Sequence, residues 1–167
     1  MYQETLVILK PDALERNLVG LIISRFEKAG LRIIDIHYYR RVNEAILRKH
    51  YPDSMAEGLG KKAQLASPGI TDVKAQGMHV LERLRKYFLR NPVIAIRFGG
   101  EEAIQNVRKV TGYTDPATAE KGTIRGDFGV DSIAKSTAEN RACENLIHAS
   151  GNLEEARLEL ALWFPES

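Results

Sequence analysis

The chain has 167 residues, the size of one ordinary domain with a sizeable core. Its residues are 44% hydrophobic and 28% charged, which excludes a disordered tail, a collagen-like chain and a coiled-coil rod. Lys and Arg number 24 against 22 Asp and Glu. This balance gives no ground for predicting a nucleic-acid partner, whereas a small anionic substrate needs only a few local cations.

The cysteine content and the length of the apolar runs indicate the cellular compartment of the protein. Cys143 is the only cysteine, so an internal disulfide and a cysteine-based zinc site are excluded, and a reducing compartment is favoured. The first residues show no secretory signal pattern. The apolar runs are far shorter than the ~20 residues that span a bilayer. We therefore expect a cytoplasmic protein with no membrane partner.

The first part of the chain alternates between strand and helix patterns. Thr5–Leu9 is a short apolar run with β-branched residues and predicts a buried strand. Apolar residues recur at helical spacing over Val19–Ala29. Leu31–Tyr39 carries apolar residues on both faces and predicts a second strand, largely buried. Asn43 is the predicted N-cap of a helix over Glu44–Tyr51.

The regular apolar pattern of the sequence stops at the start of the middle part of the chain. Pro52–Asp72 contains glycine and proline with little periodicity, which predicts an irregular excursion. Helical spacing returns over Val73–Phe88. Pro92–Phe98 predicts a third strand, which we expect the following glycine pair to end. Glu101–Val110 predicts a helix with acidic residues in its first turn and basic residues in its last.

The last part supplies one more strand and one more helix. Thr111–Asp131 is typical of a loop, Ser132–Glu144 is expected to be partly helical, Leu146–Ala149 predicts a short fourth strand and Leu153–Phe164 a final helix. This order indicates an α+β, ferredoxin-like sandwich. One four-stranded antiparallel sheet would be faced by helices, with a helical-hairpin insertion and a long loop before the last strand. We expect one domain over residues 1–167.

Polar residues that could bind phosphate follow the predicted strands and helices. The chain has no P-loop and no Rossmann glycine motif, so a phosphate-handling site would use other residues. The candidates are Lys10, Arg108, Thr114, Arg125 and Asn145. Arg125 is the strongest of them, because Gly122 and Gly126 beside it would allow the backbone to approach a ligand closely.

His148 lies on the predicted fourth strand. A lone histidine on a short apolar strand is more often a core residue, but its neighbours favour chemistry. Neutral imidazole attacks phosphorus well when an acceptor holds its other nitrogen, and Glu159 or Ser150 could orient the ring. A histidine among Lys, Arg and hydroxyl groups is suited to accepting a phosphoryl group.

Five segments in register resemble the nucleoside diphosphate kinase family. They are Thr5–Asp12, Val19–Gly30, Gly122–Phe128, Asn145–Ser150 and Leu162–Phe164. The resemblance implies a ferredoxin-like fold that moves the γ-phosphate of a nucleoside triphosphate such as ATP to a nucleoside diphosphate. It implies a ping-pong reaction through a phosphohistidine, with Mg²⁺ entering on the nucleotide phosphates and no metal ligand from the protein.

The resemblance also implies roles for individual residues. His148 matches the nucleophile, and Ser150 and Glu159 match the pair that supports it. The positions that match nucleotide-binding residues are Lys10, Tyr51, Val80, Leu84, Arg108, Thr114, Arg125 and Asn145. The resemblance further implies a homo-oligomer.

The chain departs from the family pattern in two segments, about residues 52–77 and 129–143, which are longer than usual. Val80 stands where the family usually has a phenylalanine that stacks on the base. Tyr87 and Phe88 could replace it, although core packing is their more expected role. Ser136–Arg141 is polar and expected to be solvated. A non-catalytic nucleotide- or partner-binding module of the same fold is the alternative hypothesis.

Overall fold

The computed structural model describes residues 1–165, apart from the side chain of Ala66. Its strands are β1 (Tyr2–Leu9), β2 (Arg32–Tyr39), β3 (Val93–Glu101) and β4 (Ile147–Ala149). They form one antiparallel sheet in the order β2-β3-β1-β4, with Ile8 of β1 opposite both Ala95 and His148. The predicted α+β, ferredoxin-like architecture is confirmed.

Helices connect and cover these strands. In chain order they are α1 (Pro11–Glu15), α2 (Val19–Lys28), α3 (Glu44–His50), α4 (Ala56–Ala66), α5 (Val73–Arg90), α6 (Ala103–Thr111), α7 (Ile124–Phe128), α8 (Ile133–Ala138) and α9 (Leu153–Trp163). Asn43 caps α3 as predicted, since its side chain accepts the Ala45 N–H. The short helix α1 was not predicted, and α7 lies in a segment that we predicted as loop.

The sheet separates two apolar clusters. On one face Leu6 and Ile8 pack with residues of α3, α5 and α9, including Phe88 and Trp163. The opposite face packs Val7 and Leu9 against α2 and α6. Tyr87 and Phe88 are buried, so their expected role in core packing is confirmed. Within residues 1–165, no helix is long and apolar enough to cross a membrane.

The prediction that β2 is largely buried is wrong. Ile34, Ile36 and Tyr38 are 45%, 47% and 63% exposed. The strand lies at the edge of the sheet, where only β3 pairs with it. Apolar composition alone does not distinguish a strand buried inside its own chain from one that is free to contact another molecule.

The prediction of an irregular excursion over Pro52–Asp72 is wrong at its centre, where α4 forms. Glycines there weaken the helical pattern, but they are required for packing. A Cβ at Gly60 would lie 1.8 Å from the Val73 carbonyl oxygen, and one at Gly77 would lie 1.7 Å from that of Ala56. The backbones of α4 and α5 therefore touch, and the pair forms a helical hairpin.

The same contact predicts the effect of a methyl group at Gly77. Gly77→Ala should lower the free energy of unfolding by about 2–3 kcal/mol, because overpacking forces the two backbones apart. Gly58→Ala is the matched control, since no atom lies within 4 Å of its Cβ position. That change should be neutral or stabilising by up to about 1 kcal/mol. Urea denaturation measures both, and equal stability of the two variants would contradict close packing at Gly77.

The prediction that a glycine pair ends the third strand is also wrong. β3 continues through Gly99 and Gly100 to Glu101. A Cβ at Gly99 would lie 2.2 Å from the Tyr2 hydroxyl oxygen, so glycine here allows a neighbouring side chain to cross the strand. Helix α6 consequently begins at Ala103, and its first turn holds no acidic residue.

Candidate active site

A cavity of about 340 Å³ opens between the α4–α5 hairpin, the residues after α6 and strand β4. This is within the size range of small-molecule sites. Its wall contains His148 and every position matched to nucleotide binding, namely Lys10, Tyr51, Val80, Leu84, Arg108, Thr114, Arg125 and Asn145. Ser150 and Glu159 lie behind His148 rather than in the wall.

Lys10 brings a buried ammonium group to the cavity. It follows β1 directly, and its Nζ donates to Oδ1 of Asn145 at 2.7 Å. The Asn145 amide in turn donates to the Thr114 carbonyl oxygen at 2.9 Å. Burial, and secondarily the nearby Arg125 charge, lower the pKa of Lys10 to about 8. A negative ligand beside Lys10 would restore the ordinary preference for the charged form.

Arg125 is held by backbone carbonyls rather than by a carboxylate. Its guanidinium donates to the carbonyl oxygens of Asn145 at 3.1 Å, Gly112 at 3.2 Å and Ile147 at 2.6 Å. Burial lowers the pKa of Arg125 to about 10, and the group stays charged at neutral pH. The structure therefore fixes a positive charge at the wall of the cavity.

The glycines beside Arg125 serve the local turn, and our expectation that they let a ligand approach is wrong for Gly126. A Cβ there would lie 1.9 Å from the Glu120 carbonyl oxygen, so the close approach is to the chain itself. Gly122 adopts φ +89°, a conformation that glycine tolerates best. Thr123 then caps α7 through the Gly126 N–H and starts the turn of helix that carries Arg125.

The cavity wall as a whole is cationic. It includes Arg108 from the last turn of α6, for which the described part of the chain offers no carboxylate partner. The other cations are Lys10, Lys62, Arg83, Arg125 and Arg141, of which Arg141 is paired with Asp131 outside the wall, and the wall residues include no Asp or Glu. Excess positive charge in a concave site favours binding of a polyanion such as a nucleotide phosphate chain.

His148 is oriented from behind by Glu159 of α9. The Nε2 atom of His148 lies 2.9 Å from Oε2 of Glu159, and the Ser150 hydroxyl donates to the same oxygen at 2.6 Å. A carboxylate only accepts hydrogen bonds, so this contact places the imidazole proton on Nε2. Nδ1 then carries the lone pair, and among the described residues it has no hydrogen-bond partner. His148 itself lines the cationic cavity.

His50 is a neighbour of His148 that the sequence analysis missed. The two rings pack edge to face with centroids 4.4 Å apart, and Trp163 donates its indole N–H to Nδ1 of His50 at 3.2 Å. Burial, with the adjacent His148, holds the pKa of His50 well below its usual value. Its position directly before Tyr51 is the one signal in the sequence that could have drawn attention to it.

His50, His148 and Glu159 also form a cluster of possible metal ligands. Their ligand atoms lie within 4.8 Å of one another, the one such grouping within the described residues. Two imidazole nitrogens and one carboxylate do not suit Mg²⁺, which prefers six oxygen ligands. The cluster therefore does not fit the magnesium ion implied by the resemblance.

The outer wall of the cavity comes from the two segments predicted as insertions. Leu59 and Lys62 of α4 contribute on one side, and Ser136 and Thr137 contribute on the other. Ser136 is only 2% exposed, so the expectation of a solvated Ser136–Arg141 segment is wrong there. Two hydrogen bonds from the Arg141 guanidinium to the Asp131 carboxylate, at 2.5 and 2.9 Å, close this segment into a loop.

The lowered pKa of Lys10 predicts how nucleotide binding depends on pH. In the free protein the ammonium loses its proton as the pH rises through about 8, so less of the protein carries the charge that a phosphate needs. The KM for a nucleoside diphosphate should therefore rise above pH 8. A Lys10→Arg variant, whose charge persists, should show a flat KM over pH 7–9. A flat profile in the parent protein would contradict a phosphate contact at Lys10.

The fold and the cavity together define an α+β phosphate-binding protein with an oriented histidine. The family model for nucleoside diphosphate kinase matches residues 3–62 and 73–167. The nucleoside diphosphate kinase of Pyrobaculum aerophilum is 39% identical over 176 residues, covering 98% of this chain and 96% of that protein. This chain belongs to the nucleoside diphosphate kinase family.

Solved structures agree with that assignment. A crystal structure of an NDP kinase from Pyrobaculum aerophilum superposes with a TM-score of 0.91 at 35% identity, covering 99% of this chain and 97% of that one. A transition-state mimic of the Borrelia burgdorferi nucleoside-diphosphate kinase, with bound vanadate and ADP, gives 0.83 at 34% identity and covers 99% and 88%. The internal residues that the family model leaves unmatched, 63–72, lie inside the first segment predicted as an insertion.

Proposed function

We propose that this protein transfers the γ-phosphate of a nucleoside triphosphate such as ATP to a nucleoside diphosphate, through a phosphate carried on His148. The observation that supports this most is the state of the imidazole. Its Nε2 is fixed on Glu159, Nδ1 has no hydrogen-bond partner among the described residues, and His148 lines a cavity whose wall is cationic. A neutral imidazole with a free nitrogen is a nucleophile at neutral pH.

In the first half-reaction the Nδ1 lone pair attacks the γ-phosphorus in line. The new N–P bond forms as the bond from phosphorus to the bridging oxygen breaks, and its electron pair leaves with the nucleoside diphosphate. The ring gains positive charge while Nε2 keeps its proton, and the Glu159 carboxylate stabilises that charge. A second nucleoside diphosphate then attacks the phosphohistidine by the reverse of these steps.

The cations of the cavity neutralise the phosphate oxygens. Lys10, Arg108 and Arg125 are the residues that we assign to this role, and Thr114 and Asn145 would hydrogen-bond the phosphates and the sugar. Phosphoryl transfer depends mainly on positioning and charge neutralisation, so several fixed cations suffice for much of the catalysis. Mg²⁺ would enter as part of the substrate, bound to phosphate oxygens, which satisfies its preference for oxygen ligands.

The base would lie at the outer end of the cavity, against the α4–α5 hairpin. Val80 and Leu84 of α5 present aliphatic surface there, beside Tyr51. Aliphatic side chains contact the apolar surface of a base and do not form hydrogen bonds that distinguish one base from another. We therefore expect weak preference among nucleobases. We propose that residues 1–167 act as one domain, in which the segments predicted as insertions, 52–77 and 129–143, build this outer wall.

Glu159→Gln tests the orienting role of the carboxylate. The amide keeps the shape of the side chain but lacks the negative charge that stabilises the imidazolium. The turnover number should fall by about ten- to a hundredfold, which is less than the loss in His148→Ala, because Glu159 orients rather than attacks. Steady-state kinetics measure both variants. A Glu159→Gln protein that is folded and as inactive as His148→Ala would show that our assignment understates this carboxylate.

Initial-rate kinetics test the proposed reaction sequence. The concentration of ATP is varied at several fixed concentrations of a second nucleoside diphosphate such as dTDP. A phosphorylated intermediate predicts parallel lines in double-reciprocal plots. Lines that intersect would mean that both nucleotides bind before transfer, and the proposal of a phosphohistidine would be wrong.

The exposed edge of the sheet supports a homo-oligomer. Strand β2 leaves its outer hydrogen-bonding groups unpaired by any other strand of the described chain, and Ile34, Ile36 and Tyr38 are exposed on it. We propose that a second copy of the chain covers this edge, because a long exposed apolar edge otherwise invites aggregation. Analytical ultracentrifugation measures the assembly.

We also propose a cytoplasmic location, in keeping with the free thiol of Cys143, and nucleotides rather than nucleic acid as partners.

A further inference from the structure

The chain forms a strained turn immediately before the nucleophile. Leu146 adopts φ +71°, and the Ile147 N–H donates to the Asn145 carbonyl oxygen across it at 2.8 Å. An i to i+2 hydrogen bond around a residue with positive φ is the rare, strained form of the γ-turn. Such a conformation at a non-glycine residue persists only where the surroundings impose it. We call residues 145–147 the nucleophile turn.

The Asp12 side chain of α1 and the backbone of Lys10, which lies between β1 and α1, impose this conformation. The carboxylate Oδ2 of Asp12 accepts the Leu146 N–H at 3.1 Å, and the Leu146 carbonyl oxygen accepts the Lys10 N–H at 2.9 Å. Asp12 is 1% exposed. Burial raises the pKa of its carboxyl group, although the Tyr87 hydroxyl and Lys10 oppose that shift. A buried carboxylate is costly unless each oxygen is bonded, so the second oxygen needs a donor.

Tyr87 of α5 is that donor. Its hydroxyl donates to Oδ1 of Asp12, and the tyrosine itself is buried. Tyr87 lies one turn after Leu84, on the helix that also presents Val80 to the cavity. A chain of contacts therefore runs from the nucleotide-facing helix through Tyr87 and Asp12 to the turn before His148.

We propose that Asp12 and Tyr87 are positioning residues for phosphoryl transfer, holding the nucleophile turn so that Asn145 and His148 stand correctly in the cavity. The inference rests on the proposed function. The turn also supplies the two carbonyl oxygens, of Asn145 and Ile147, that hold Arg125. Relaxation of the turn would thus displace both the nucleophile and a cation facing the γ-phosphate.

Tyr87→Phe tests the pair because it removes one hydroxyl group and keeps the buried ring. The readout is a single turnover with excess ATP, Mg²⁺ and stopped-flow or quench sampling of phosphorylated His148. The rate constant should fall by about ten- to a hundredfold, the cost of misplacing reacting groups by a fraction of an ångström to one ångström. The final extent of phosphorylation should stay at the parental level. A merely structural role would lower the extent, because less protein is folded, and leave the rate constant of the folded fraction unchanged.

Tyr39→Phe is the matched control. The Tyr39 hydroxyl donates to the Trp163 carbonyl oxygen and does not contact the nucleophile turn. This variant loses a comparable hydrogen bond, and its rate constant should stay within twofold of the parent. Asp12→Asn changes the acceptor of the same hydrogen bond. If Tyr87→Phe does not fold, the phosphorylation rate constant of Asp12→Asn tests the inference instead.

The double variant Asp12→Asn/Tyr87→Phe completes the test. Without a charge at position 12, the hydroxyl has no buried carboxylate to satisfy, so its removal should cost little more than Asp12→Asn alone. Fully additive losses, a Tyr87→Phe rate constant equal to that of the parent, or a loss of extent alone would each overturn the inference. An unphosphorylated parent would overturn the proposed function itself, whereas a phosphorylated parent with an equally fast Tyr87→Phe variant would overturn only the role of the pair.

Discussion

His148→Ala should reduce nucleoside diphosphate kinase activity by at least about ten-thousandfold, as expected when a covalent nucleophile is removed. The reason is geometric as well as chemical. His148 is a wall residue whose Nε2 is held by Glu159, while its Nδ1 has no hydrogen-bond partner among the described residues. Among the described wall residues there is no second histidine to take over the phosphate. Coupled assays of ATP consumption with dTDP as acceptor measure the loss.

His79→Ala is the matched control for that loss. His79 is an exposed histidine of α5 that does not line the cavity, so the same change there should leave activity within twofold of the parent. Urea denaturation of both variants shows whether His148→Ala remains folded. A folded His148→Ala protein that kept a tenth of the parental activity would contradict covalent catalysis at this residue.

Arg108→Ala is expected to cause the second-largest loss. Its guanidinium reaches the cavity from the end of α6 and meets no carboxylate within the described residues, so its charge is available to the transferring phosphate. Removal of one preorganised charge-stabilising group typically costs about 10²–10³ in turnover. Because the side chain is exposed and makes no structural bond among the described residues, stability should change little. Kinetics and urea denaturation together separate the two effects.

Lys109→Ala controls for net charge at the same place. Lys109 is the next residue of α6, is exposed and does not line the cavity. Its removal should leave the turnover number within about twofold, since an exposed charge that points away from a site is largely screened by salt. Similar losses in the two variants would mean that the cavity attracts nucleotides by its overall charge and that Arg108 has no direct part in transfer.

The sheet and the residues around His148 could be predicted because patterns over a few neighbouring residues indicate them. Strands β1, β3 and β4 contain short runs of apolar residues that are largely buried, and such runs are visible in the sequence. Lys10 and Asn145 could be singled out because each stands at the end of a strand pattern, and strands of one sheet bring their ends together. Arg125 was singled out by its flanking glycines, and the nucleotide-binding role that we propose for it was implied by the segment resemblance.

The first helix of the predicted hairpin, the exposure of strand β2 and the contact between Asp12 and Tyr87 needed three-dimensional information. Gly60 lies in the segment that we predicted as irregular, yet it permits contact between two helix backbones, as Gly77 does within the predicted helix Val73–Phe88. The apolar side chains of β2 lie on an exposed surface, and the sequence pattern of such a strand is the same as that of a strand buried in the core. Asp12 and Tyr87 are 75 positions apart, and nothing local indicates that their side chains meet.

The mass of the intact protein after brief incubation with ATP and Mg²⁺ tests the central claim most directly. The account predicts that the parent gains one acid-labile phosphate, that any nucleoside diphosphate removes it, and that His148→Ala gains none. A folded parent that stays unphosphorylated would contradict the account. The protein would then be a nucleotide- or partner-binding member of the family, with its histidine out of reach of the γ-phosphate.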